Sequence, residues 1–195
     1  MTRKSLNLIF ALMAFGLLPQ CGYNRLQTLD EEVKAAWSEV ESQYQRRSDL
    51  VPNLVQTVKG YAKHEKETLE SVISARSAAT QTKLTPEALS DPHAVKKFQD
   101  AQAGLGQALS RLLVIVEKYP DLKANENFRD LQAQLEGTEN RIAVARKRYI
   151  DSVKDFNVMV RHFPTNLTAR YLLQLKPREA FTVSEAAKQN PKVEF

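Results

Sequence analysis

Metal binding, nucleophilic attack and proton transfer each demand particular side chains at particular spacings. His64, His93 and His162 fall in three separate segments, and none has a second His or a Cys three or four residues away. His64-Glu65 lacks the His-Glu-x-x-His spacing that sets two imidazoles on one helical face. Solvated histidines are expected, with no metal and no cofactor. Cys21 is the only thiol, and no serine lies in a Gly-x-Ser-x-Gly turn. Asp151 and Asp155 are one helical turn apart, a spacing common on solvated helix faces. None of these sets singles out a catalytic residue.

Arg47 is the most informative polar side chain, because it occupies an otherwise apolar stripe between Tyr44 and Val51. A buried guanidinium is costly unless it is paired and hydrogen-bonded. Glu139 or Asp49 could pair with it, and a single polar seam residue can fix helix register. At the seam edge the same side chain could instead reach out to solvent. A second reading makes Arg46, Arg47, Asp49 and Asn53 a binding cluster, joined by Asn140, Arg141, Arg148 and Asn157 from a later segment. An enzymatic site would require Arg47, Asn53, Asn140, Arg141 and Asn157 to converge on one pocket.

Nine basic residues between Arg141 and Arg178 face two acids, a local excess of +7. That field suits an anionic lipid surface or an acidic protein, although solvated helix faces are the plainer reading. Clustered base-stacking aromatics are missing, so no nucleic-acid role is expected.

The elements that carry these residues read as helices. Apolar residues step by threes and fours through Leu29, Val33, Trp37, Val40, Tyr44, Val51, Leu54, Val58 and Tyr61. The stripe continues more weakly through Leu69, Val72, Ile73 and Ala79. Such steps average about 3.5 residues and keep one face on a partner helix. A second segment opens after Pro92 and runs Val95, Phe98, Gln102, Leu105, Leu109, Leu112, Val116, Tyr119. A third, with Asn125 as N-cap, carries Phe128, Leu131, Leu135, Thr138, Ile142, Ala145, Tyr149, Val153, Phe156, Val160 and Phe163. No stretch alternates long enough to make a sheet. The expected fold is all-α, an antiparallel up-and-down bundle of long helices. Residues 82–91 read as a loop with one helical turn, and Leu167 to Leu175 as a short docked helix.

Pro52 either kinks a single long first helix or turns the chain back there. The seam keeps its phase across the proline, which favours the kink. A single kinked helix leaves three long segments and points the basic end of the last one away from the membrane. A reversal at Pro52 brings that end back beside the start of the first helix.

At the N-terminus, Arg3 and Lys4 precede an apolar run of 13 positions, Leu6 to Leu18. A spanning helix needs roughly 20 apolar residues, whereas a short basic segment and a brief apolar core form a secretory signal. Cys21 resembles the lipid-acceptor cysteine of bacterial lipoproteins, with Leu18 three residues ahead and Gly22 behind. Gln20 departs from the small residue usual just before such a cysteine. An uncleaved anchor and simple secretion are the alternatives, and each leaves the body of the protein outside the cytoplasm. The expected division is an export segment at 1–20, a bundle at 21–175 and a loosely held polar tail at 176–195.

Several blocks together resemble the LemA family of bacterial membrane-anchored proteins: Gly22-Tyr23-Asn24-Arg25-Leu26, Ala36-Trp37, Tyr44 to Val55, and Val58-Lys59-Gly60-Tyr61-Ala62. The likeness continues through Tyr119 to Asn125, Glu136 to Ile142, Ala145 to Asn157, Phe163-Pro164-Thr165-Asn166 and Pro191 to Phe195. Ile150 and Phe156 stand where the family usually has Asn and Tyr. The resemblance implies an antiparallel bundle held to a membrane by its N-terminus, in partnership with membrane proteins, membrane proteases included. The expected role is a non-enzymatic scaffold or adaptor of the cell envelope; the alternative is an enzyme or obligate protease accessory. Two membrane signals suffice for stable anchoring. Metabolic labelling with a palmitate analogue is therefore expected to mark the wild type and not Cys21→Ser. Equal labelling of both would exclude Cys21 as the acceptor.

Overall fold

The computed structural model describes residues 22–181. Helix α1 (Tyr23–Tyr61) passes through Pro52 without interruption, as the seam's unbroken phase suggests. Proline has no N–H to offer the Ser48 carbonyl. Arg76 Nε donates to that oxygen instead, at 2.8 Å, so the lost bond becomes a tie to the next helix. The chain reverses at Ala62–Glu65 and returns as α2 (Lys66–Gln81).

A single 3₁₀ turn at Pro86–Ser90 follows. Then come α3 (Pro92–Val116), the short α4 (Pro120–Ala124) and α5 (Glu126–Arg161). Two caps set the starts of the long helices: Asp91 accepts from the His93 N–H, and Asn125 from the Phe128 N–H. Beyond α5, α6 (Thr165–Leu167) runs into one wide π turn, Thr168–Leu172.

Helices α1 and α5 are antiparallel along their whole length. Asn125 bonds to Tyr61 at one end, and Gly22 packs on Thr165 at the other. Gly22 has φ +105°, and a Cβ there would overlap the Thr165 side chain, so glycine is required for the chain to enter here. Helix α2 runs against α1, and α3 runs with it. The expectation of three segments therefore fails even though α1 is single. Residues 66–81, read as a weak continuation of the first helix, form a separate antiparallel one. The C-terminal end of α5 accordingly lies beside Gly22, not at the opposite end.

Two apolar cores are stacked along the bundle. One joins Leu26, Leu29, Val33, Trp37 and Val40 of α1 to Ile142, Tyr149, Val153 and Phe156 of α5. The other joins Val51, Leu54 and Val58 to Leu69, Leu105, Leu112, Phe128 and Leu135. Three seam assignments fail. Tyr61 and Phe163 are exposed because partner helices end at their levels, and Ile73 is exposed because Val72 takes the inward position. No helix among the described residues is long and apolar enough to cross a membrane.

The expected tail begins too early at Lys176. Phe181 is buried beside Trp37 and Tyr149, so the packed body extends at least that far. Trp37 meets Phe98 and Tyr149 edge-on at 5.3 and 5.5 Å, and its Nε1 donates to the Leu84 carbonyl. Truncating so large a buried ring costs about 3–5 kcal/mol. Trp37→Ala is expected to lower the melting temperature by roughly 10 °C, followed by circular dichroism. A change of a degree or two would contradict this packing.

Candidate functional site

The two apolar cores are separated by one polar layer, and Arg47 is its centre. Its side chain is about 5% exposed. Nη1 donates to Glu139 Oε1 at 3.1 Å, while Nη2 donates to Gln102 Oε1 at 2.7 Å and to the Gln102 carbonyl at 3.0 Å. The guanidinium also lies 5.0 Å from the Tyr44 ring centre. Gln102 Nε2 donates in turn to the Ala79 carbonyl at 3.3 Å. A single level thus links α1, α3, α5 and α2. Glu139, not Asp49, is the partner; Asp49 accepts from Gln45 on the outer face of α1.

The remaining candidates do not gather around this layer. Arg46, Asn53, Asn140 and Arg148 are exposed. Arg141 lies along α5, donating to Gln43 and Thr138. Asn157 is 18 residues past Glu139, about 27 Å further along the helix. An open depression lined by Gln27, Thr28, Glu31, Glu32 and Ala35 contains none of these residues. His64, His93 and His162 are exposed, and no group of three metal-ligating side chains occurs among the described residues. Cys21 lies outside the described residues.

Asn157 belongs to a second polar arrangement, centred on Arg178. The Asn157 amide grips the backbone there: Nδ2 donates to the Arg178 carbonyl, and Oδ1 accepts from its N–H, both at 2.8 Å. The Arg178 side chain crosses to α1 and pairs with Asp30 at 2.9 Å, with both side chains nearly buried. Its other nitrogen donates to the Pro86 carbonyl and the Ser90 hydroxyl. Tyr149 Oη donates to the Glu179 carbonyl at 2.8 Å, and burial raises its pKa so that it stays a donor. The Glu179 N–H donates to the Leu89 carbonyl.

By sequence Arg178 belongs to the basic field, yet it is an internal clamp. Sequence reasoning also passed over Asp30, whose signal was its place on the buried stripe between Leu26 and Val33. Burial raises the Asp30 pKa, but hydrogen bonds and charge from Lys34 and Arg178 outweigh it and hold the carboxyl below its ordinary value. A lowered folded pKa contributes stability that is complete above the unfolded value, near 3.9, and is lost as pH falls through the folded value.

Comparison with known proteins agrees with the architecture. A model of the LemA family matches residues 36–195. The magnetosome protein MamQ of Magnetospirillum gryphiswaldense is 28% identical over 177 residues, covering 83% of this chain and 65% of that protein. Magnetosome protein MamQ 2 of Paramagnetospirillum magneticum is 26% identical over 189 residues, covering 89% and 69%. Protein LemA of Metamycoplasma hominis is 25% identical over 149 residues, covering 76% and 64%. The chain spans about two thirds of the length of these relatives. Together they indicate a membrane-associated helical protein.

The clamp carries a pH test. At neutral pH, Asp30→Asn is expected to cost about 1.5–3 kcal/mol, the range for hydrogen bonds to charged groups. The gap between wild type and variant should narrow as pH falls from about 5 towards 2, because wild-type Asp30 then protonates. Thermal melts across that range check it, and a constant gap would show that the ion pair contributes nothing.

From the seam residues to the matched length of the family, the observations agree: this chain belongs to the LemA family.

Proposed function

We propose that this protein is a non-enzymatic scaffold or adaptor of the cell envelope. It is tethered on the extracytoplasmic side through lipidated Cys21 and works by presenting its bundle to membrane or envelope proteins. The observation that carries this reading is the internal pairing of its two best-placed polar groups. Arg47 is held by Gln102 and Glu139, and Asn157 grips the backbone of Arg178. Neither lines the open depression at Gln27, Thr28, Glu31, Glu32 and Ala35. The other candidates, Asn53, Asn140 and Arg141, stand on the outer surface, which suits protein contact. The rival reading, an enzyme or protease accessory, needs the five residues to converge, whereas Arg47 is buried in its polar layer, Asn53, Asn140 and Arg141 are exposed, and Asn157 lies about 27 Å further along α5.

Affinity capture of the full chain from membranes, with quantitative mass spectrometry, tests the proposal. A reproducible set of membrane proteins is expected with the wild type. Recovery should fall several-fold for Cys21→Ser, because tethering confines both partners to one surface and raises their effective concentration. Absence of any partner above the background of an unrelated lipoprotein would overturn the scaffold reading.

A further inference from the structure

The end of the bundle where the chain enters carries a distinct combination of side chains. Phe163, Tyr171 and Leu172 are 79%, 69% and 66% exposed, and Leu167 is 48% exposed. Phe163 projects from the turn after α5, Leu167 from α6, and Tyr171 and Leu172 from the π turn behind it. The buried side of those turns is taken by Thr165, Thr168 and Ala169. The expected docked helix over Leu167 to Leu175 is therefore inverted in part: small residues face the core and several large apolar ones face out. Scattered exposed hydrophobics are ordinary, but large ones concentrated on neighbouring turns mark an interaction site.

Charge sharpens the choice of partner. From Phe156 to Arg178 there are four basic residues and no acid. Arg178 is taken by Asp30. Arg161, Arg170 and Lys176 are exposed, and none forms an ion pair among the described residues. Aromatic rings at headgroup depth with cations beside them are the composition of a membrane–water interface.

Chain length places a bilayer close by. Gly22 rests on Thr165, inside this same cluster of turns. Leu18, the last residue of the apolar run, is four residues earlier, a reach of at most about 14 Å. That limit holds whether the membrane contact is the apolar segment or a lipid on Cys21.

We propose that this end of the bundle is a membrane foot. Phe163, Leu167, Tyr171 and Leu172 enter the interfacial layer of an anionic bilayer, while Arg161, Arg170 and Lys176 meet its phosphates. The foot rests on the membrane-anchored reading given above and adds a second attachment that fixes how the bundle stands.

The test uses the full chain carrying Leu172→Trp, reconstituted with vesicles of phosphatidylcholine alone or mixed with phosphatidylserine, and with brominated lipids as quenchers. Leu172 is exposed, so the substitution leaves the core alone. Trp37 is buried about 22 Å up α1 from Gly22 and serves as the unquenched background. Blue-shifted, quenched emission in anionic vesicles is expected. It should weaken several-fold in high salt, and in the triple variant Arg161→Gln, Arg170→Gln, Lys176→Gln. A chain that fails to co-sediment with any vesicle overturns the anchor and the foot together. Co-sedimentation with solvent-like, unquenched emission overturns the foot alone and leaves the patch to an acidic protein partner. Quenching equal in neutral and anionic vesicles overturns the part assigned to the three cations.

Discussion

The bundle depends on one buried guanidinium. Helices held only by apolar stripes can slide by a turn, about 5.4 Å, and still bury similar surface. Arg47 removes that freedom. Its acceptors come from α3 and α5, and Gln102 extends the link to α2. A one-turn slip of either partner would leave a buried charge without its acceptors, at a cost of several kcal/mol. The layer is thus worth more for register than for raw stability, the best-attested use of a polar group in an apolar seam. Every other level follows from it: with Arg47 set against Glu139, Trp37 falls opposite Tyr149 and Tyr61 opposite Asn125.

Helix length explains what happens on the side towards Gly22. Helices α1 and α5 have 39 and 36 residues, whereas α2 and α3 have 16 and 25. The shorter pair leaves the first part of α1 and the last part of α5 with apolar stripes and no helix to cover them. Leu84 and Leu89 from the connecting segment, and Phe181 from beyond the last turn, fill that gap. Non-helical chain brings backbone polar groups into a packed region, and these must be paired. Asn157, Tyr149 and the Leu89 carbonyl supply the partners. Asn157 is therefore the amide on this part of α5 that binds the returning chain at Arg178.

The long helices were legible because their signal is local. Three- and four-residue steps, the Asn125 cap and the unbroken phase across Pro52 belong to single segments. What escaped depended on distant parts of the chain. Residues 66–81 keep a helical pattern, so pattern alone could not reveal that the reversal lies at Ala62–Glu65. The polar composition after Lys176 gave no sign that Arg178 would find Asp30, 148 positions away. Arg47 stands out because a charge in an apolar stripe is anomalous within its own helix. Asp30 was equally anomalous, but nearby Lys34 and Glu31 disguised it as one of the ordinary charges of a solvated face.

These assignments separate two kinds of polar residue that sequence inspection treats alike. Arg47, Gln102, Asp30, Asn157 and Arg178 bond within the bundle, so changing them alters stability and register before it alters any encounter with a partner. Arg46, Asn53, Asn140 and Arg148, and the basic residues beside Phe163, are exposed, and removing them leaves the internal ties intact. On the proposed scaffold reading the working surface belongs to the second group, because the first is already committed to holding the helices in place. A loss of function that comes with an unchanged melting temperature therefore locates the working surface, whereas one that comes with a lowered melting temperature locates only the scaffold.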